Sequence, residues 1–591
     1  MDKQVVVTIV GLACVIGVTL VVVTGVPVSI DMFAGGSPGE SDTDGPIGST
    51  TYDPPDPATL PGTLDAQPTD FAPFRAVTES IGIDYETRRF SRAFVGHYGV
   101  YVADINNNGY EDLLLIGGDY PTLYVNTMDG FEADRVFAQP DATVAHFFDY
   151  NNNGHRDLLL GLRGAPPVLY ENHNGEFVEQ ADAFDRTLDY PTTMTSADFT
   201  GNGCLDIYIG QWGSPTGSPA VAIGEMRDIA AAHPEHRPTT SNGNPNHLFA
   251  GDCVSFTEIT DQAGIGGEQF TLAVSAADFT GNGHIDLHVG NDWTGDYIHE
   301  NLGNATFETI DLGPASDRNA MSSVVQDMTG NHLPDIFVTN VYFENAEIDD
   351  LIPLTRTPLP DGNNLFANQG DGSFVDIAKE HDLHRGSWGW AATIADYTND
   401  GHLDVIHSST YVNVLPVHDH ADIFEPPQVW KGTGDTWEKV HGFDLGFDAH
   451  NIRGIARIDY RNNGVLDVVM VGNPAQMPGV SNDDRQVHVY ENTLVSNESL
   501  QLFVRNPTGL EQHSKVYVET DQRTIFRLVN ARSDLLSQDS RLIHIGTANE
   551  QVERVVVVWP DGSATEYESL VEGSRYILTP AGAEEIERPE A

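Results

Sequence analysis

Seven nine-residue segments of this chain set oxygen-bearing side chains at one fixed spacing. They are DINNNGYED from Asp104, DYNNNGHRD from Asp149, DFTGNGCLD from Asp198, DFTGNGHID from Asp278, DMTGNHLPD from Asp327, DYTNDGHLD from Asp396 and DYRNNGVLD from Asp459. Such spacing suits calcium, a hard cation that takes oxygen ligands in flexible geometry. Side chains at positions 1, 3 and 5, a backbone carbonyl at 7 and a carboxylate at 9 would form the cage. Glycine at 6 permits the positive φ of a sharp turn. The first loop offers Asp104, Asn106, Asn108, Tyr110 and Asp112; the second, Asp149, Asn151, Asn153, His155 and Asp157. The third offers Asp198, Thr200, Asn202, Cys204 and Asp206; the fourth, Asp278, Thr280, Asn282, His284 and Asp286. The sixth, with Asp396, Thr398, Asp400, His402 and Asp404, has three carboxylates and is expected to bind best.

Two loops depart from the template. The fifth (Asp327, Thr329, Asn331, Asp335) has His332 where glycine is expected. The seventh (Asp459, Asn463, Asp467) has Arg461, a cation, at position 3. Apolar residues follow position 9 at once, with no Glu at position 12, so these are not EF-hands. A single loop of this composition could be a plain Asx-type turn; seven in a fixed context point to metal.

The flanks repeat as well. An apolar stretch precedes each loop (Val100 to Ala103, Thr393 to Ala395) and another follows it (Leu113 to Ile116, Val468 to Val471). A third element reads LYVN, LYEN, LFAG, IHEN, LFAN, VWKG and VYEN, and a fourth carries Phe131, Phe177, Phe256, Phe307, Phe374 or Trp437. Four short strands per repeat predict an all-β fold, a seven-bladed β-propeller over residues 71–494. The seventh repeat lacks its fourth strand. The segment at Phe74, which matches that at Phe256, is expected to supply it and close the ring.

Four long insertions, 211–246, 341–363, 408–427 and 473–486, fall between the second and third strands of their blades, so one face is the expected recognition surface. The 408–427 insertion holds His418, Asp419, His420 and Asp422, of a kind that could ligate a transition metal or simply be solvated. Trp388 and Trp390 are expected to pack. Cys204 and Cys253 lie in one repeat and either pair or remain small free side chains.

The chain has 591 residues, with 87 Asp and Glu against 30 Lys and Arg, a formal net charge of −57. Nucleic acid is a poor partner for such a surface. The spread of acidity and the presence of only five lysines suggest adaptation to high salt, which screens self-repulsion. Val5 to Val23 is uncharged and apolar, long enough at ~1.5 Å per residue to span a bilayer. Residues 1–30 are therefore read as a membrane anchor, with a cleaved signal segment as the rival. Either places the bulk outside, at the cell surface or secreted. Residues 31–70 read as a disordered linker.

After the last loop, residues from about 499 to 580 alternate apolar and polar, which reads as a small C-terminal all-β domain over 495–582, and 583–591 read as an acidic tail. The repeats resemble FG-GAP/VCBS repeats of the integrin-α type. The C-terminal part resembles the ASPIC/UnbV domain, through SRLIHIG at Ser540 to Gly546 and VVVVWPDG at Val555 to Gly562. The combination is similar to cartilage acidic protein 1-like proteins. The stretch Gln512 to Lys515 departs from that pattern. The resemblance implies extracellular calcium binding, adhesion or recognition of a protein or glycan, and no agreed catalysis. No nucleophile elbow, phosphate loop, zinc-protease helix or nucleotide fingerprint occurs. The alternative is a carbohydrate-active, polysaccharide lyase-like enzyme on the same propeller.

Overall fold

The computed structural model describes residues 70–88, 97–213, 243–292, 294–342, 361–409, 426–473, 486–495, 499–507, 509–529, 533–548 and 550–588. The expected anchor and all of the expected linker but Asp70 lie outside them. So do 214–242, 343–360, 410–425 and 474–485, the bulk of the four insertions, with the His418–Asp422 cluster. Among the described residues no helix is long and apolar enough to cross a membrane.

Strands dominate. Six consecutive four-stranded antiparallel sheets begin at Gly99–Ala103, Ala142–Phe148, Pro191–Ala197, Phe270–Ala277, Ser322–Gln326 and Gly389–Ala395. The seventh joins Ile452–Ile458, Asp467–Gly472 and Val487–Asn492 to Phe74–Ala76 from the other end of the fold. The register there is Phe74 with Asn492 and Ala76 with Tyr490, as expected from the match between Phe74 and Phe256. Both segments run from a short strand into a helical turn ended by a left-handed glycine, Gly82 at φ 88° and Gly264 at φ 73°.

The first strand of each sheet packs on that of the next, and the last packs on the first. The series closes on itself in a propeller-like arrangement. First strands are buried along their whole length, so they cannot show the period-2 alternation of a half-exposed strand. Fourth strands carry one buried or half-buried aromatic among mostly exposed residues, as in Phe131–Val136 and Phe307–Asp311. The nine-residue loops join first to second strands. The insertions join second to third strands, and so leave from the opposite end.

Beyond the ring lie two further sheets. One orders Ile543–Gly546, Ser499–Val504, Arg575–Thr579 and Gly582–Ile586; the other orders Thr524–Leu528, Lys515–Thr520, Val552–Val558 and Ala564–Glu568. Leu500, Leu502, Val516, Val518, Val555, Val557 and Trp559 form their shared core. Gly582–Ile586 belongs to this fold and not to a tail. It is an edge strand without a buried residue, which hid it from a hydrophobicity reading. The other face of the second sheet sets Tyr517, Phe526, Leu528 and Val556 against Phe279, Ile336, Val338 and Phe366 of the ring.

Between these sheets the chain turns into the ring. The hairpin Ser533–Asp534 and Ser537–Gln538 adds to the first sheet, Val100 pairing in parallel with Ser537. Its Leu535 and Leu536 are fully buried in one cluster with Tyr190, Trp212, Phe270, Met321 and Trp390. Those residues come from several sheets, so the hairpin fills the axis that the first strands surround. Trp388 and Trp390 stack with centroids 6.2 Å apart, and the Arg453 guanidinium lies 3.8 Å from the Trp390 ring centroid, a packing role as expected.

Candidate metal-binding loops

The seven loops share one backbone. Positions 4 and 6 are left-handed throughout, from Asn107 (φ 57°) and Gly109 (φ 86°) to Asn462 (φ 52°) and Gly464 (φ 81°). Position 4 is always Asn or Gly, the residues that tolerate this conformation; that signal was legible in the sequence but absent from the five-position template. In the fifth loop His332 takes φ 64° without glycine's freedom, and the loop keeps its hydrogen bonds.

In six loops the first Asp accepts the position-5 N–H on one carboxylate oxygen and the position-6 N–H on the other, at 3.1 and 2.8 Å in the first loop and 3.1 and 2.7 Å in the sixth. In the fourth, Asp278 accepts Gly283 N–H at 3.4 Å. The position-5 side chain accepts the position-7 N–H in every loop, as Asn108 does from Tyr110 at 2.8 Å. These bonds fix the carboxylate at position 1 and the side chain at position 5 against the loop's own backbone. The position-9 Asp accepts an N–H from the end of the third strand, Asn126 to Asp112 at 2.8 Å for one. Except in the seventh loop its other oxygen accepts an N–H at position 2 or 3.

The carboxylates are held away from water. Burial pushes Asp112 and Asp157 up to about 8, and Asp206 and Asp286 up to about 7. In the sixth loop burial and then the Asp400 charge raise Asp396 to about 7, and burial followed by its two neighbouring Asp charges raises Asp404 well above its usual range. Buried like charges of this kind call for a cation. The donor sets of loops 1 to 4 and 6 suit a hard divalent ion, and the fifth has the same geometry. The seventh does not fit: Arg461 donates to Asp467 at 2.8 Å and pairs with Glu491 at 3.0 Å, taking the space of a ligand.

Sequence reasoning missed how the loops are tied together. The Asn ending LYVN, LYEN, IHEN, LFAN and VYEN donates to the position-2 carbonyl of a neighbouring sheet's loop. Asn126 reaches Tyr460 O at 2.8 Å, and Asn172 reaches Ile105 O at 2.7 Å. In four of the five, the same side chain also donates to the position-8 carbonyl of its own sheet's loop. Two repeats have glycine instead. In the sixth, Trp437 Nε1 donates to the position-8 carbonyl of Leu403 at 2.8 Å. In the third, a Cys204–Cys253 disulfide binds position 7 to the turn after the third strand. The two cysteines therefore pair.

The C-terminal sheets rest on the loops. Arg505 pairs with Asp104, Lys515 with Asp278 at 3.2 Å and Arg575 with Asp459 at 2.8 Å, each time the first Asp of a loop. His544 hydrogen-bonds Asn399 at 2.8 Å in the sixth loop, and His332 bonds Thr524 O at 3.1 Å in the fifth. Nine of the chain's 30 basic residues fall in 499–588, and three of them meet the first Asp of a loop.

Two sequence families match the chain. FG-GAP-like repeats match at residues 104–160, 149–209, 278–338 and 349–407, and ASPIC and UnbV matches at 506–585. The chain thus carries FG-GAP-like repeats followed by an ASPIC and UnbV domain. No curated protein matches it by sequence. Among solved structures it is similar to an Agrocybe aegerita lectin described for recognition of non-reducing terminal N-acetylglucosamine (16% identity, 59% of this chain, 80% of that one, TM-score 0.36). It is also similar to YCF48 bound to D1 peptide (10%, 72%, 98%, 0.37) and to Chaetomium thermophilum Raptor (10%, 68%, 28%, 0.35).

Proposed function

We propose that this chain is a non-catalytic, calcium-binding recognition protein of the cell surface, built as a seven-bladed propeller over 71–494 with the ASPIC/UnbV domain seated on its loop face. One observation carries the reading: a single loop geometry, with left-handed positions 4 and 6 and the carboxylate at 9 buried, recurs blade after blade. Bound there, calcium would neutralise those carboxylates. The loops' first task is structural, since each staples its own blade and contacts the next. Recognition of an extracellular protein or glycan belongs to the opposite face, where the insertions leave the second strands and where the C-terminal domain does not sit. The uncharged run Val5 to Val23 supports membrane anchoring, and the net charge of −57 supports a saline medium.

The test has two arms. Isothermal titration of chelated protein should show calcium uptake at several sites; no uptake overturns the calcium reading. Shortening 341–363 and 408–427 should abolish binding on a glycan and protein array without changing the calcium isotherm; unchanged array binding overturns the assignment of the face. A lyase absorbance assay on bound glycans separates recognition from cleavage.

A further inference from the structure

Arg541 of the SRLIHIG motif and the segment Glu511 to Ser514 serve neither a loop tie nor the domain's own core. They meet Arg156, at position 8 of the second loop. Glu511 Oε1 accepts from Arg156 Nη2 and faces Arg541 Nη1 at 3.6 Å. Its Oε2 accepts Asn506 N–H at 2.8 Å. The two guanidinium side chains are 11% and 9% exposed, so they share one carboxylate oxygen out of water.

Three of their nitrogens, Arg156 Nη1 and Arg541 Nε and Nη2, are buried with no hydrogen-bond partner among the described residues, and so is Ser514 Oγ. Guanidinium nitrogens only donate, and leaving them unpaired out of water is costly. No nearby carboxylate hydrogen-bonds these nitrogens, although the Asp149 charge favours both guanidinium ions. Asp149 commits Oδ1 to Asn153 N–H at 3.0 Å and Oδ2 to Gly154 N–H at 2.7 Å, and Asp104 is taken by Arg505. Nor do the neighbouring imidazoles. His146 and His513 each spend Nε2 on Ser196, at 2.8 and 3.2 Å. Burial, helped by the Arg541 charge, lowers them to about 3 and about 4, so both are neutral at pH 7.

We propose that a small inorganic anion, a halide such as chloride, binds between Arg156 and Arg541, sealed in by the C-terminal domain. An anion accepts from every side and offsets the second guanidinium charge; water leaves that charge in place. The donor count does not depend on calcium occupying the second loop. The site would make the seating of the C-terminal domain depend on the anion of the medium.

Crystals of the full chain grown in sodium bromide should show anomalous scattering between the two guanidinium groups. An ordered water only, with no bromide peak, overturns the proposal. In solution, replacing sodium gluconate by sodium chloride at constant sodium should raise the melting temperature by about 2–4 °C in a saturable way. Arg541→Gln should lose the saturable part while keeping the calcium response. An equal chloride effect in this variant overturns the proposal, and if the variant does not fold, the bromide map of the wild-type chain decides.

Discussion

Phe74 stands opposite Asn492 in antiparallel register, so the first strand of the fold completes the last sheet. Phe74 is 4% exposed and packs on Phe447 with ring centroids 4.6 Å apart. Phe74→Ala should therefore cost about 3–5 kcal/mol. Urea unfolding should shift as a whole, because the lost contact is the closure of the ring. A variant within about 0.5 kcal/mol of wild type would show that the ring closes without this strand.

Calcium should matter more as pH rises. Asp112 and Asp157, raised to about 8, bind more protons folded than unfolded from about pH 4 upward. In chelator their contribution to stability is present at low pH and lost as pH climbs toward 8. Calcium needs the ionised form and reverses the trend. The gap in melting temperature between calcium and chelator should widen from pH 5 to pH 8. The buried histidines enter both conditions alike and cancel. A gap that narrows contradicts metal at these carboxylates.

Arg575 and Asp459 are both fully buried at 2.8 Å, whereas the Arg554 side chain is 34% exposed beside Glu519 and Glu566. Arg575→Ala strands a buried carboxylate and should cost roughly 3–5 kcal/mol. Arg554→Ala breaks two contacts, at 2.7 and 3.1 Å, yet should cost about 0–1 kcal/mol. Equal losses in thermal unfolding would mean that the domain does not seat on the seventh loop.

The Cys204–Cys253 bridge spans a sequence separation of 49. Chain-entropy reasoning gives roughly 4 kcal/mol for a closed loop of that size. Reduction should lower stability by that order and raise hydrogen exchange at Gly203 and Cys204 first. Uniform loss of protection across all seven loops would contradict a local clasp.

Much of this architecture was legible because a repeat is read seven times. The loop spacing, the aromatic of the fourth strand and the Phe74–Phe256 match each marked a structural element. The cysteine pairing was not legible: two cysteines in one repeat fit either state, and the missing third-strand Asn at Gly251 does not decide it, since the sixth repeat lacks that Asn too and is tied by Trp437. The edge strand Gly582–Ile586 was hidden because no buried residue marks it. The seating of the C-terminal domain was hidden for another reason. Arg505, Lys515 and Arg575 lie 401, 237 and 116 residues from Asp104, Asp278 and Asp459, in sheets outside the ring, and no periodicity links them. Arg461 did announce itself, as a cation where an oxygen belongs.

The hairpin at Leu535 and Leu536 imposes an order on biosynthesis. Every strand of the ring has been synthesised once Asn492 is made, but the residues that fill its axis come more than forty positions later. At about 5–20 residues per second a nascent chain spends a few seconds as a hoop without an axle, its inner aromatic residues open to solvent. A factor that guards this protein during synthesis would find its target there, on a surface that the finished molecule never shows.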